Sequence, residues 1–112
     1  MILIISPFFM KYLVLGHASG ITLWPFVVVR DKLLADNERL INHERIHLRQ
    51  QMELLLIGFY VWYLGEYLFR LIKYRDHYKA YRMISFEKEA FTNDKNLTYL
   101  KSRSFWGFLK YI

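Results

Sequence analysis

Between Asp36 and Ile72 the chain contains no proline, and its only glycines there are Gly58 and Gly65. A stretch of that length without a breaker has to be one long helix or two consecutive ones. Asp36 or Asn37 suits an N-cap, and Glu38 fits the positive end of the helix dipole in the first turn. The first 30 residues read differently. Ile2-Leu3-Ile4-Ile5 stops at Ser6-Pro7, residues 12–15 stop at Gly16, and residues 21–29 are rich in β-branched and aromatic side chains. These are strand signals. Pro25 lies inside the last run; having no N–H to donate, it places that strand at a sheet edge or puts a bulge near Trp24 and Pro25. Residues 16–20 read as a loop, and residues 74–78 as a polar, aromatic connection. Ser85 offers the N-cap of a helix reaching about Asp94, and residues 95–112 form a basic aromatic tail. The expected fold is one α+β domain over residues 1–112. A small N-terminal antiparallel sheet (residues 1–30) would set an edge strand against the long helical segment (36–72), with a further helix at 85–94.

Composition excludes several classes. A chain that is 54% hydrophobic and 19% aromatic is not disordered. The absence of cysteine removes disulfide scaffolds, zinc ribbons and thiol catalysis, and fits a reducing compartment. Residues 1–15 are interrupted by Pro7 and Lys11 and lack the charged start and small-residue cleavage site of a secretory signal. Residues 54–65 carry no charge, but Glu66 and Arg70 follow, and a membrane span needs about 20 predominantly apolar residues. That segment therefore reads as a buried helix, and the protein as cytoplasmic, with peripheral attachment to a membrane left open. Lys and Arg outnumber Asp and Glu by 16 to 10. No nucleic-acid-binding signature accompanies that charge, which makes nucleic acid the weakest reading of it. In the tail, Phe105, Trp106, Phe108, Leu109 and Ile112 beside Arg103 and Lys110 suit either contact with anionic lipid or packing on the core with the charges solvated.

The residues that carry chemistry are His43-Glu44-Arg45-Ile46-His47, an HExxH. Two imidazoles four residues apart share one helix face, so both can reach one zinc ion. The glutamate beside the first can take a proton from water activated by that ion. At 100° per residue from His43, His47 falls at about 40°, Leu40 at about 60°, Gln51 at about 80° and Leu54 at about 20°. Glu38, Asn42, Arg45, Arg49 and Glu53 collect on the opposite, water-facing side. Two histidines on an apolar stripe need partners, and a metal supplies one. Catalytic zinc takes three protein ligands and leaves a position for water. His17, His77, Glu87 and Glu89 are the candidates for the third. If residues 85–91 are helical, Phe86, Ala90 and Phe91 define the inner face, with Glu87 about 40° from its centre and Glu89 about 120° away. Glu87 should then point inward and Glu89 outward.

HExxH followed forty residues later by Glu87-Lys88-Glu89-Ala90 resembles the gluzincin pattern of zincin-like metallopeptidases, most closely that of minimal bacterial members. There the histidine-bearing helix continues as Arg-Gln-Gln, here Arg49-Gln50-Gln51, and is followed by Phe-Glu-Lys-Glu-Ala, here residues 86–90. The resemblance covers residues 21–91. It implies His43, His47 and Glu87 as zinc ligands, with Glu89 the alternative third ligand, and Glu44 as general base. It also implies an edge strand, at residues 21–29, that pairs with an extended peptide substrate. Arg45 departs from the uncharged residue usual at its position. Phe91 stands where several gluzincin families place an Asp or Asn, so no carboxylate to support a histidine comes from there.

The expectation is a zinc-dependent metallopeptidase acting on a peptide or protein. His77, Tyr78, Tyr81 and Arg82 occupy a segment that can supply substrate or oxyanion contacts. Two alternatives stand beside it: a metal-binding interaction protein without proteolysis, and a basic protein at a membrane surface whose HExxH is accidental.

Overall fold

The computed structural model describes residues 1–12 and 20–112. In chain order the elements are β1 (Ile2–Ile5), α1 (Pro7–Tyr12), β2 (Gly20–Leu23), β3 (Phe26–Val29), α2 (Lys32–Ala35), α3 (Glu38–Glu53), α4 (Ile57–Tyr74), α5 (His77–Arg82), α6 (Ser85–Asn93) and α7 (Tyr99–Ser102), closed by a 3₁₀ turn over Gly107–Tyr111. The fold is α+β, with a three-stranded sheet at the N-terminus and helices after it.

The sheet is mixed rather than antiparallel. Its order is β1-β3-β2, with β1 parallel to β3 and β2 antiparallel to it. Helix α1 follows β1 before the chain reaches β2, so β1 lands beside β3 and runs the same way. Tyr12 ends α1 instead of opening a strand; the remainder of that expected strand, and most of the loop with His17, lie outside the described residues. Residues 21–29 are two strands, not one. Leu23 pairs with Phe26, so Trp24 and Pro25 make the turn of a hairpin, where a missing N–H costs no ladder bond. This makes β3 the central strand and β2 an edge strand, with β1 at the opposite edge.

Asn37 caps α3, accepting from the Leu40 N–H at 3.1 Å. The long helical segment breaks into α3 and α4 at a 112° bend. The break falls at Leu55 and Leu56, whose φ angles of 57° and 62° lie in the left-handed region, and not at either glycine. Such a conformation costs a leucine about 1–2 kcal/mol. Packing of Leu54 against Phe59, Ile84, Phe86 and Phe108, the apolar core, offsets it. Ser85 lies within α6 instead of capping it. Its N–H and hydroxyl both donate to Glu66 Oε2, at 3.0 and 2.6 Å, so a carboxylate from α4 closes the α6 N-terminus.

The tail belongs to the domain. Phe108 is fully buried, with its ring 4.6 Å from Phe86 and 5.1 Å from Trp62. The Arg103 side chain is fully buried too, between Glu89 and Glu53. Three expectations of solvent exposure are overturned by this covering. Glu89 is buried, the Glu53 side chain is 3% exposed, and Asn42 donates to the carbonyls of Asp94 and Asn96 at 2.9 and 3.0 Å. Residues 54–65 depart in the other direction. Phe59 is the only buried residue of α4, and most of that helix faces outward. Among the described residues no single helix is long and apolar enough to cross a membrane.

Candidate metal centre

Helix α3 delivers His43 and His47 from successive turns, with ring centroids 4.9 Å apart. Helix α6 delivers Glu87 opposite them. Glu87 Oε1 lies 2.9 Å from His47 Nε2 and 3.3 Å from His43 Nε2. One ligand atom from each residue lies within 4.8 Å of the others, and all three residues are buried.

The outer nitrogens decide which protons are present. Gln50 directs its Nε2 at two acceptors, the Phe86 carbonyl at 3.1 Å and Glu89 Oε1 at 2.8 Å, so its amide oxygen must face His47. His47 Nδ1–H therefore donates to Gln50 Oε1 at 2.8 Å. His43 Nδ1–H donates to Asp94 Oδ2 at 2.9 Å. With each Nδ1 a donor, each neutral imidazole presents a bare Nε2 lone pair to a carboxylate oxygen that is itself an acceptor. Three acceptors converging in a buried space need a positive charge among them, supplied by a proton or a metal ion. A tetrahedral ion bound at about 2.0–2.2 Å puts its ligands about 3.3–3.6 Å apart; the His43–Glu87 separation of 3.3 Å matches, and the His47–Glu87 pair at 2.9 Å would have to open by a few tenths of an ångström. The His43, His47 and Glu87 group can thus hold a metal ion.

In the absence of an ion, a proton fills part of that role. Burial alone lowers the His47 pKa, but the Glu87 carboxylate outweighs it and raises the value to about 9. Burial likewise pushes Glu87 up, and the two histidines overcome it, holding this carboxyl well below its ordinary range. Tyr63 donates from its hydroxyl to Glu87 Oε2 at 2.8 Å, orienting the carboxylate from its far side.

Glu44 is buried next to these ligands. Thr22, on the edge strand, donates to Glu44 Oε2 at 2.6 Å, leaving Oε1 for other work. That oxygen lies beside Gly20, where a Cβ would come within 3.4 Å of it. His43 and Glu44 line two adjoining hollows. One, of about 750 Å³, extends along Asn37, Leu40, His77, Tyr78 and Phe91; the other, of about 280 Å³, along Ile21, Thr22, Tyr60 and Tyr63. Gly20 and Tyr81 line both. Even so short a chain builds a cleft.

Of the expected substrate contacts, Tyr81 faces the cleft, and burial with the nearby Glu87 and Glu44 raises its pKa, so its hydroxyl keeps its proton. His77 lines the wider hollow, but its Nδ1 is engaged by the Tyr67 hydroxyl. Arg82 is not in the cleft. Its guanidinium stacks 3.8 Å from the Phe91 ring centroid and donates to Tyr78 Oη at 3.1 Å, held there by the aromatic face. Phe91 in turn packs on His43, at 4.5 Å between centroids. Glu89 is not at the metal group; it accepts from Arg103, Tyr99 and Gln50.

Four contributors escaped the sequence reading. Asp94 supplies the carboxylate that position 91 does not, seven residues after Glu87 and so on the same helical face. Gln50, three residues after His47, is similarly detectable from spacing. Thr22 and Tyr63 come from distant elements and carry no local signal. Exposed Arg45 is unobstructive, as its wheel position implies. No protein-family model matches the chain, nor does any curated protein or solved structure.

Proposed function

We propose that the chain is a zinc-dependent metallopeptidase of gluzincin type. The convergence of two bare imidazole nitrogens and one carboxylate oxygen, beside Glu44 and open to a cleft, carries this reading. Two histidines and a glutamate are a donor set of catalytic zinc, with a fourth position free. When bound, zinc supplies Lewis acidity toward a carbonyl and toward water. Glu44 Oε1 accepts the proton of the attacking water, while Thr22 fixes the other oxygen. Protonated Tyr81 is a donor available to the developing oxyanion. The edge strand supports an extended peptide as substrate. The Thr22 carbonyl points away from β3, accepting from Gln51 Nε2 at 2.8 Å, so by strand alternation Gly20 also turns its polar backbone groups outward. Among the described residues no strand pairs that edge, and an extended peptide is its natural partner.

The test is cleavage of a peptide library by zinc-loaded wild type and Glu44→Gln, with metal content measured on both. Wild type should hold one zinc and cleave; the variant should hold zinc and lose about 10²–10⁴ in rate. Failure of wild type to take up zinc, or equal cleavage by both proteins, would overturn the proposal. Zinc uptake with no cleavage of any peptide would leave a metal-binding protein that is not a peptidase.

A further inference from the structure

Helix α4 carries an aliphatic stripe that nothing among the described residues covers. Ile57 is 76% exposed, Val61 69%, Leu64 57%, Leu68 47% and Ile72 78%. At 100° per residue these five fall within an arc of about 80°, and Leu55, 84% exposed at the α3–α4 bend, extends the stripe beyond the helix. Soluble proteins rarely leave a continuous apolar surface of this kind without a use for it.

Charge indicates what covers it. The stripe ends at exposed Lys73 and Arg75, with Lys79 on α5 beyond, its ammonium 4.4 Å from the Tyr74 ring centroid. The acids nearby are engaged: Glu66 accepts from Ser85, and Asp76 caps α5. Across the whole chain, six of the ten acids (Glu44, Glu53, Glu66, Glu87, Glu89 and Asp94) are used in interior contacts or close the α6 N-terminus, and two more, Asp31 and Asp76, cap α2 and α5. The outer surface is therefore strongly basic. A second copy would bring cations to cations, whereas an anionic lipid surface supplies both an apolar boundary and phosphates. An aliphatic stripe offers nothing to stack on the bases of a nucleic acid.

We propose that α4 docks the protein on a bilayer containing anionic lipid, its aliphatic stripe at the acyl–headgroup boundary and Lys73 and Arg75 against lipid phosphates. The proposal is independent of the metal centre. It also moves the membrane contact away from the tail, whose Arg103 and Phe108 are committed to the interior.

Flotation of the full chain with phosphatidylcholine vesicles, with and without about 30% phosphatidylglycerol, tests it. Wild type should float with the anionic vesicles and be released by high salt. Lys73→Glu with Arg75→Glu should weaken partitioning about thirtyfold or more, and Val61→Gln with Leu64→Gln and Ile72→Gln by at least about a hundredfold. All five side chains lie on the outer face of α4 or just beyond it, so circular dichroism and zinc content should match wild type, separating this result from any failure of the metal centre. No binding to anionic vesicles would overturn the proposal. So would unchanged binding by the stripe variant, loss of binding only on Phe105→Ser with Leu109→Ser in the tail, or a wild-type dimer that the stripe variant makes monomeric.

Discussion

Replacing Arg103 with leucine removes the cation that holds the tail to the active-site helices. Its guanidinium donates to Glu89 Oε2 at 2.5 Å, to Glu89 Oε1 at 3.1 Å and to Glu53 Oε2 at 2.8 Å. The Arg103 and Glu89 side chains are fully buried, and Glu53 is nearly so. The substitution therefore leaves two buried carboxylates without a counter-ion, which costs about 3–5 kcal/mol. For a chain this size the whole stability is about 5–15 kcal/mol, and each kcal/mol moves the melting temperature by about 4 °C, so a fall of about 12–20 °C is expected. Adding Glu89→Gln and Glu53→Gln to Arg103→Leu removes the stranded charges and should recover at least half of the loss. The effect also carries a pH signature. Burial pushes the Glu89 pKa up, but hydrogen bonds from Arg103, Tyr99 and Gln50 win and hold it below its ordinary value of 4.5. Its contribution is thus full above pH 4.5 and is lost as pH falls through the folded value, so wild type should lose stability to acid more steeply than the triple variant. Since Glu89 also positions Gln50, which orients His47, zinc affinity of Arg103→Leu should drop about tenfold. Thermal and denaturant melts with zinc titration make the measurement. A loss below about 1 kcal/mol, or no recovery in the triple variant, would show that the ion cluster does not hold the tail.

Asp94→Ala removes the acceptor that fixes the His43 tautomer and the partner of Arg39, at 2.8 Å, and should weaken zinc binding about 10–100-fold by competition titration; unchanged affinity would mean that Phe91 packing alone orients the ring. In metal-free protein, His47, raised to about 9, keeps a proton that the unfolded chain releases near 6.5. Its contribution is full below pH 6.5 and lost as pH rises through 9, so the metal-free melting temperature should fall across that window while the zinc-loaded protein stays level. A metal-free protein that gains stability over the same range contradicts the placement of Glu87 against His47.

The local code determined a good deal. Helical periodicity put His43 and His47 on one inward stripe, and the same wheel turned Glu87 inward on α6, because both depend only on the 3.6-residue repeat and the apolar residues beside them. Strand character at residues 2–5 and 21–29, the Asn37 cap and the α+β class were legible for the same reason: each is a property of neighbours in sequence. Most of the readings that failed depended on what lies across space. Pro25 sits in a hairpin turn rather than a bulge because the strands on either side of it pair with each other. Glu89, Glu53 and Asn42 were placed in water by a wheel that treats every helix as facing one core, and the returning tail covered them. Residues 54–65 read as buried because they carry no charge, yet α4 turns only one face onto the core and leaves its aliphatic stripe outside it. Asp94, Gln50, Thr22 and Tyr63 complete the site through hydrogen bonds, and a hydrogen bond requires a partner at about 3 Å, a distance that a helix repeat fixes within one element and only the fold fixes between elements.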